Sequence, residues 1–235
     1  RQLRQKIFLN SIYGCLGLPI SRWYNRDNAE AVTISGQYVI KGAEKVVNDY
    51  INTNANTNID NIIYVDTDSN YFSTSALLKA GNISDDKALQ FSIDTNVDIC
   101  HKNNRFYDYM VPKVFNVAPK NNRIKIVPDV VAKKALWVAK KRYAMLKVYD
   151  MEKMKPVKDK DGKEGKLEVK GIDTVRSSFP AAFRKMAGSI LDQLLRGISR
   201  DILDEQIMKF EESIDSHSIV DLAKTSSVKF ISKSG

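Results

Sequence analysis

The chain has 235 residues, which suits one large domain or two small ones, and its 43% hydrophobic and 28% charged residues are ordinary for a soluble globular protein. No apolar run approaches the roughly 20 residues that a membrane-spanning helix needs, and only two cysteines, Cys15 and Cys100, are present, so we expect no membrane partner, no disulfide framework and a reducing compartment. The net charge is +9, and the excess lies between Lys113 and Arg176, where 18 basic and 8 acidic residues predict a surface that faces a polyanion.

Two helices are predicted at the start of the chain. Apolar residues at helical spacing predict the first over residues 3–14, and the second is expected from about residue 28 to about residue 50. The Asn/Thr-rich stretch 52–61 is predicted to be a polar loop. Because residues 1–14 already have the pattern of the middle of a helix, we expect the chain to begin inside a larger protein.

A hairpin and a long helix follow. The β-branched run 62–65, the polar residues 66–69 and the aromatic pair 71–72 predict a strand, a tight turn and a second strand. Residues 85–115 are predicted to be mostly helical, with a break near Asn103 and Asn104 or at Pro112.

The second half of the chain begins with strand-like patterns and ends with helical ones. A domain boundary is expected near Pro180 or slightly before, at Asp150. The predicted elements are strands at 123–131 and 135–150, a charged turn at 158–163, a strand at 166–171, a helix from 180 to about 212, and a last helix at 216–223 capped by Asp215 or Ser216.

The predicted turn carries two carboxylates. Asp66 and Asp68 lie two residues apart at the end of an apolar strand, so they repel each other and need a cation or protons. With oxygen ligands only, Mg²⁺ or Mn²⁺ is the expected cation. An EF-hand loop is excluded because its sixth position is Tyr71 rather than glycine and its twelfth is Leu77 rather than glutamate. A polar turn with capping aspartates remains the alternative.

Four residues of the first predicted helix share one face. Lys6, Asn10, Tyr13 and Gly14 lie at positions i, i+4, i+7 and i+8. The lysine can meet a phosphate, the asparagine a sugar or base, and the tyrosine a base pair, while the glycine permits a close approach. A solvent-facing lysine on a core helix is the alternative.

The sequence Lys140-Lys141-Arg142-Tyr143 lies between apolar strand residues. Strand alternation predicts Lys140 and Arg142 on one face and Lys141 and Tyr143 on the other. Cations beside an aromatic ring suit a nucleic acid backbone. A charged edge strand that prevents aggregation, or a solubilising face, is the alternative.

In combination and in order, these stretches resemble the family B DNA polymerases, and their compact linkers resemble the T-even-type phage members most. The resemblance extends over about residues 6–178. It is carried by Lys6-Ile-Phe-Leu-Asn10-Ser11-Ile-Tyr13-Gly14, Ala31-Val-Thr33-x2-Gly36-Gln37, Tyr64-Val65-Asp66-Thr67-Asp68-Ser69, Lys140-Lys141-Arg142-Tyr143 and Lys170-Gly171-Ile-Asp173-Thr-Val175-Arg176.

The resemblance implies roles in nucleotide addition. Asp68 would bind two catalytic Mg²⁺ ions, or Mn²⁺, with Asp66 supporting the same site. Lys6 would take part in catalysis by offsetting charge on the triphosphate. The other nucleotide-binding residues implied are Asn10, Tyr13, Gly14 and Thr67.

The resemblance also implies contacts with primer–template DNA. Lys141 and Tyr143 would hold the primer end, and Asp129 would correspond to an acidic residue near the site in some members. The complete implied DNA-binding set is Lys140, Lys141, Arg142, Tyr143, Lys170 and Arg176.

The implied fold is α+β, a palm with an antiparallel sheet and packed helices followed by a helical thumb segment. Residues 1–27 would form the end of the fingers, 28–150 the palm, and 151–235 the connection to the thumb and part of it. The first palm motif, Asp-x2-Ser-Leu-Tyr-Pro-Ser, has no counterpart in the sequence, although it supplies the other metal-binding aspartate.

We therefore expect a fragment of a DNA-directed DNA polymerase that is inactive alone. Its expected partners are primer–template DNA, a deoxynucleoside triphosphate, the remaining N-terminal polymerase segment in the same or a second chain, and a sliding clamp. The expected location is the cytoplasm of a phage-infected bacterium. A non-catalytic nucleic-acid-binding module derived from a polymerase is the second hypothesis, and an unrelated metal-binding or structural protein is the third.

Overall fold

The computed structural model describes residues 2–176 and 178–224, including all side chains except those of Gln2 and Val175. The described chain divides into two compact units between Val127 and Pro128. Both units combine helices with antiparallel strands, which confirms the predicted α+β class. Within the described residues, no helix has both the length and the apolar character that crossing a bilayer requires.

The predicted functional division into fingers, palm and thumb parts stays a prediction. Its last part, residues 151–235, includes residues 225–235, which lie outside the described residues.

The first unit contains four helices and one hairpin within its described residues. Its predicted helices and hairpin are present, and α3 is a helix that the sequence pattern did not predict. In chain order the elements are α1 (Gln2–Gly17), α2 (Arg26–Ala55), β1 (Ile62–Asp66), β2 (Ser69–Phe72), α3 (Ser75–Ala80) and α4 (Asp85–Phe115), followed by a 3-10 turn at Pro119–Asn121.

The core of the first unit lies between α2 and α4. Val47 and Ile51 of α2 pack with Ile99 of α4 and Leu77 of α3, and all four are at most 5% exposed. Each such buried aliphatic side chain stabilises the fold by about 1.5–3 kcal/mol. The hairpin joins this core through Ile62 and Phe72.

A second core cluster lies further towards the end of α4. It contains Ala43, Tyr107, Met110 and Val111. Burial raises the pKa of the nearby Cys100 thiol to about 11 and, as the main cause, that of the Tyr107 hydroxyl to about 12. Both groups are therefore neutral at physiological pH, and Cys100 is a packing residue rather than a reactive thiol.

The predicted break in α4 is wrong, because the helix is continuous from Asp85 to Phe115. Asn103 is almost fully buried, and its Nδ2 donates to Ile99 O at 3.2 Å, so its side chain bonds along the helix instead of interrupting it. Pro112 lies in the last turn, where it removes one backbone donor shortly before the helix ends at Asn116, whose φ is 51°.

The predicted strand at 123–131 is also wrong over most of its length, because the strand begins only at Val130. Asn104 of α4 takes the place of a neighbouring strand. Its Nδ2 donates to Ile126 O at 2.9 Å, and its Oδ1 accepts from Ile126 N at 2.9 Å. One side-chain amide thus satisfies the backbone groups that a sheet would otherwise have paired.

The second unit contains one sheet and three helices within its described residues. In chain order the elements are β3 (Val130–Ala139), β4 (Arg142–Asp150), β5 (Lys155–Pro156), β6 (Lys166–Lys170), a 3-10 turn (Asp173–Val175), α5 (Ala181–Arg196), α6 (Arg200–Glu212), a second 3-10 turn (Ile214–Ser216) and α7 (Ile219–Leu222).

Strand β4 is the centre of this sheet. It pairs antiparallel with β3 on one edge and with β5 and β6 on the other. Ala144, Met145 and Leu146 of β4 are at most 3% exposed, so consecutive residues are buried because both faces of the strand are covered. The single strand predicted over 135–150 is instead two strands joined at Lys140 and Lys141.

The helical end of the second unit also differs from the prediction. The helix expected from residue 180 to about 212 divides at Gly197, whose φ of 91° is the left-handed conformation that ends α5. The last helix begins at Ser218, whose Oγ accepts from Asp221 N at 3.2 Å, rather than at Asp215 or Ser216, which lie in the preceding 3-10 turn.

Asp150 anchors the end of β4. Its Oδ1 accepts the backbone N–H of Lys153 at 3.0 Å, and its Oδ2 lies 3.2 Å from Lys147 Nζ and 3.5 Å from Lys153 Nζ. The backbone bond first, and then the bond to Lys147, hold the pKa of this carboxyl below its ordinary 3.8.

This lowered pKa makes stability depend on acid pH. The ionised Asp150 stabilises the fold above its unfolded pKa, and this contribution is lost as the pH falls through the lower folded pKa. We expect Asp150→Asn to reduce the free energy of unfolding at neutral pH and to flatten its decline below pH 3.8. Urea unfolding across that range measures both effects. An unchanged acid limb in the variant would contradict this role of Asp150.

Candidate metal centre and nucleic-acid interface

The two predicted carboxylates lie at the tip of the β1–β2 hairpin. Asp66 pairs with Ser69, so Thr67 and Asp68 are the two residues of the turn. Asp68 N donates to Asp66 O at 2.6 Å, and Ser69 Oγ donates to the same oxygen at 3.1 Å. Thr67 has a φ of 55°, which is uncommon for a β-branched residue and is found where the surrounding structure imposes it. The backbone of the turn is therefore fixed.

The two carboxylates differ in their surroundings. Asp66 is half-buried, and its Oδ1 accepts from Thr67 Oγ1 at 3.1 Å. Asp68 is exposed, and its carboxylate accepts no hydrogen bond from any described residue. The carboxylate of Asp68 thus has its oxygens directed to a ligand or to water.

This donor set fits a hard divalent cation. Two carboxylates in one turn supply the oxygen ligands that Mg²⁺ and Mn²⁺ prefer, and a cation relieves their mutual repulsion. Among residues 2–176 and 178–224 no group of three or more metal-ligating side chains is present. Two carboxylates alone do not complete the octahedral coordination that Mg²⁺ prefers, so a cation at this turn would require further oxygen ligands.

Aromatic side chains stiffen the hairpin next to the turn. Tyr64 and Tyr71 are cross-strand partners with ring centroids 5.9 Å apart. Such cross-strand aromatic pairs each stabilise a hairpin by about 0.2–1 kcal/mol. The turn consequently lies on a packed strand pair whose other end is buried against α2.

An asparagine network fixes the start of β1. Asn52 Oδ1 accepts from Thr57 Oγ1 at 2.9 Å, from Ile59 N at 3.2 Å and from Asn61 Nδ2 at 3.1 Å. Asn61 is 4% exposed, and its backbone O accepts from Ser73 N at 2.9 Å, just after β2. The end of α2 thereby sets the position of both strands of the hairpin.

A second pair of side chains supports the same strand. Asn48 Oδ1 accepts from Asn61 N at 2.8 Å, and its Nδ2 donates to Asp60 Oδ1 at 2.9 Å. Asp60 Oδ1 also accepts from Ile62 N at 3.0 Å. The bond from Asn48 and then the bond from Ile62 lower the pKa of Asp60, so its carboxylate stays ionised as a backbone support.

The predicted nucleotide-binding residues of the first helix all lie on α1. Lys6, Asn10, Tyr13 and Gly14 are exposed, as are the other residues from Leu3 to Gly14, so their shared role stays a prediction. The side chains of Lys6, Asn10 and Tyr13 form no hydrogen bond, ion pair or ring contact with another described residue. A Cβ added at Gly14 would meet no atom within 4 Å, so no described neighbour accounts for the glycine.

A groove runs between α1 and the start of α2. Its volume is about 420 Å³. It lies beside the Ala31–Gln37 motif, from which Thr33 contributes to the lining. The lining residues are Tyr13, Gly17, Tyr24, Arg26, Ala29, Glu30 and Thr33.

In the second unit, the predicted basic strand is a turn. Lys140 and Lys141 are the two turn residues between Ala139 and Arg142, and Lys141 has a φ of 61°. The predicted alternation of these two lysines between sheet faces is therefore wrong. Tyr143 is 7% exposed and stacks on Trp137 with centroids 5.9 Å apart, so its ring is packed in the sheet.

The structure brings two of the predicted DNA-binding motifs together. Lys170 is the strand partner of Tyr143. The next residue, Gly171, packs closely against the backbone of Lys141 in the Lys140–Lys141 turn. Arg142 and Arg176 contact a common acid, Asp173, which the sequence reasoning did not select as a site residue. The only sequence signal for it was its place inside the Lys170–Arg176 motif, which does not show that Arg142 lies near it. Asp129 is exposed beside β3, and its predicted role stays a prediction.

The sequence model of DNA polymerase family B matches residues 1–233. The chain is 30% identical over 226 residues to the DNA-directed DNA polymerase of Enterobacteria phage T4, which covers 90% of this chain and 24% of that protein. It is 30% identical over 215 residues to the DNA-directed DNA polymerase of Escherichia phage RB69, a match that covers 83% of this chain and 22% of that protein. It is also 30% identical over 205 residues to the DNA polymerase alpha catalytic subunit of Leishmania donovani, covering 87% and 13%.

The support of the hairpin by Asn52 gives a stability prediction. Asn52→Ala leaves the Ile59 N–H without its acceptor and removes one of the two acceptors of the Asn61 amide, and we expect a loss of about 2–3 kcal/mol in the free energy of unfolding. Asn54→Ala is the control, because among the described residues the Asn54 side chain bonds only to Tyr50 O within α2. Denaturant unfolding measures both variants, and equal losses in the two would contradict the account.

Proposed function

The chain belongs to DNA polymerase family B, and we propose that it is the part of a template-directed DNA polymerase that carries half of a two-metal site for nucleotide addition. The observation that carries this proposal is the fixed Thr67–Asp68 turn, which presents the exposed carboxylate of Asp68 next to that of Asp66. The chain spans about a quarter or less of the length of the curated relatives it matches, so the activity of the whole polymerase is part of the proposal.

Asp68 and Asp66 would hold the divalent cations of the site, two Mg²⁺ ions or Mn²⁺ in their place. Bound cations of this kind lower the pKa of the primer 3′-hydroxyl and stabilise the triphosphate and the leaving pyrophosphate. Asp68 supplies free oxygens for direct ligation, and Thr67 keeps the Asp66 carboxylate oriented through its 3.1 Å hydrogen bond. The protein contributes fixed positions for these oxygens, and positioning accounts for most of the catalysis in such reactions.

The exposed face of α1 would bind the incoming deoxynucleoside triphosphate. Lys6 has no acidic partner among the described residues, so its charge is available to a phosphate. Asn10 lies one turn further along α1, within reach of a sugar or base, and Tyr13 and Gly14 follow at the groove beside α2. Lys6 would offset the charge that develops as pyrophosphate leaves.

The basic residues of the second unit would bind the primer–template duplex through its phosphates. Such contacts are independent of base sequence and weaken as salt rises. The exposed turn lysines suit this role directly, while the buried Tyr143 ring would act from within the sheet. The proposed set is Lys140, Lys141, Arg142, Tyr143, Lys170 and Arg176.

Helix α1 supports a further part of the proposal, namely that another polymerase segment covers it. Its apolar side chains are exposed to an extent that isolated soluble domains avoid. Leu3, Ile7, Phe8 and Leu9 are each 57–70% exposed. We propose that the N-terminal polymerase segment, in the same or a second chain, packs on these residues and supplies the remaining metal ligands. We also propose a sliding clamp as a partner of the complete polymerase, and the cytoplasm of an infected bacterium as its location.

The metal role of Asp68 is tested in the complete polymerase that contains these residues, assembled from one chain or two. We expect the 235-residue chain alone to add no nucleotide. In the complete enzyme, Asp68→Asn should lower kcat of Mg²⁺-dependent primer extension by about 10³-fold or more, because a metal ligand is lost.

Asp49→Asn is the matched control, since it removes one exposed carboxylate from the same unit and lies on α2 away from the turn. Its kcat should stay within about twofold of the wild type. An Asp68→Asn enzyme with unchanged kcat would instead favour a nucleic-acid-binding module without catalysis, and primer extension by the chain alone would contradict its incompleteness.

A further inference from the structure

One carboxylate joins two of the predicted DNA-binding arginines. Asp173 Oδ2 accepts from Arg142 Nη2 at 2.9 Å, and Asp173 Oδ1 lies 3.2 Å from Arg176 Nη1. Because both oxygens belong to one carboxyl group, the two guanidinium groups are held as close neighbours. Arg142 follows the Lys140–Lys141 turn, whereas Arg176 follows the 3-10 turn that Asp173 begins, so the acid links two separate stretches of chain.

The backbone conformation just before Asp173 allows the segment to approach the basic turn closely. Gly171 has a φ of 63°, and a Cβ at that position would lie 2.1 Å from Lys141 O and 3.4 Å from Arg142 Cγ. A side chain at residue 171 would therefore push the segment away from the basic turn. Two residues later, the segment places Asp173 against Arg142.

Asp173 uses only part of the hydrogen-bonding capacity of each arginine. It is the only hydrogen-bond partner of the Arg142 side chain among the described residues. A guanidinium group has five donors, and each of the two arginines makes one contact with Asp173, so further donors remain for a phosphate. Two cations and one anion also leave the trio with a net positive charge.

These ion pairs are too exposed to serve mainly for stability. The side chains of Arg142, Asp173 and Arg176 are 40%, 42% and 58% exposed. Ion pairs of this kind stabilise a fold by about 0–1 kcal/mol because water and salt screen them. Restricting the rotamers of two arginines in advance, by contrast, reduces the entropy lost when they bind a ligand.

We infer that Asp173 is a positioning residue that holds Arg142 and Arg176 as a preformed pair for the sugar–phosphate backbone of duplex DNA. This inference rests on the proposed function, which assigns DNA to this surface. It gives an acid on a basic DNA-binding surface a favourable effect on binding, although its charge alone repels DNA.

The opposition between charge and position makes the test sharp. The equilibrium dissociation constant of the full chain for a primer–template duplex is measured by fluorescence anisotropy at several salt concentrations. If Asp173 acts only through its charge, Asp173→Asn tightens binding. If Asp173 positions the arginines, Asp173→Asn weakens binding by about tenfold. The slope of the logarithm of the association constant against the logarithm of the salt concentration then becomes less steep by about 1 to 2, because arginine–phosphate contacts are lost.

Asp161→Asn is the charge-matched control. Asp161 is exposed in the same unit, and its carboxylate forms no hydrogen bond or ion pair with a described residue. We expect this control to bind DNA as tightly as the wild type or slightly more tightly. Asp173→Glu, which can still reach both arginines, should restore affinity to within about threefold, and all three variants should unfold at temperatures close to that of the wild type.

A double-mutant comparison separates positioning from general damage. In an Arg142→Gln background, the effect of Asp173→Asn should shrink, since one of the two arginines it orients is absent. Additive effects would overturn the inference. If the wild-type chain binds the duplex and Asp173→Asn binds it equally tightly or more tightly, the inference is overturned but the proposed DNA contact is not. A wild-type chain that shows no salt-dependent binding to the duplex would overturn the proposed DNA contact as well.

Discussion

Two like-charged carboxylates two residues apart repel each other, and the proposed metal site depends on the turn of the first unit that holds them together. Backbone pairing fixes the positions of Asp66 and Asp68 in the turn. The Asp68 carboxylate accepts no hydrogen bond from any described residue, so its oxygens are open to water or a cation. The hairpin base, the tyrosine pair and the asparagine network all serve to keep this turn rigid.

The second unit follows a different physical logic, because its basic residues are spread over two stretches of chain that backbone contacts bring together. The close approach at Gly171 and the shared acid Asp173 turn separate motifs into one surface. Strand β4 provides the support, since its buried residues carry the turn at one end and the Asp150 ion pairs at the other. Sequence-independent binding requires such a surface to present charge at fixed positions rather than to read bases.

The sequence predicted those elements whose signal is local. Apolar periodicity predicted α1, the helical character of residues 28–50 and 85–115 predicted α2 and α4, and the run Ile62–Ser69 predicted the hairpin, because each pattern is set by neighbours in sequence. The sequence failed where a distant group decided the outcome. Asn104 of α4 replaced a strand partner at Ile126, and this contact has no local signature. The bond from Asn103 to Ile99 is local, but the tertiary packing that buries Asn103 within a continuous α4 is not.

The candidate site divides in the same way. Motif order identified Asp66, Asp68 and the face of α1, whereas Asp173 required knowledge of which arginines lie near it in space. The left-handed Lys141, and with it the two-residue turn, is also a tertiary result, since lysine has no intrinsic preference for that conformation. Lys140 and Lys141 consequently do not alternate between the faces of one continuous strand, as predicted, because they form the turn between two strands.

The central claim is that the Asp66–Ser69 turn presents carboxylate oxygens to a divalent cation. Paramagnetic broadening by Mn²⁺ of the amide signals of the isotope-labelled chain tests it most directly, since the effect is local and detects weak binding. The account predicts that the signals of Asp66, Thr67 and Asp68 broaden first as Mn²⁺ is added, before those of other acidic stretches such as Asp85–Asp86 or Asp159–Asp161. Earlier broadening at either of those stretches, with the turn unaffected, would contradict it.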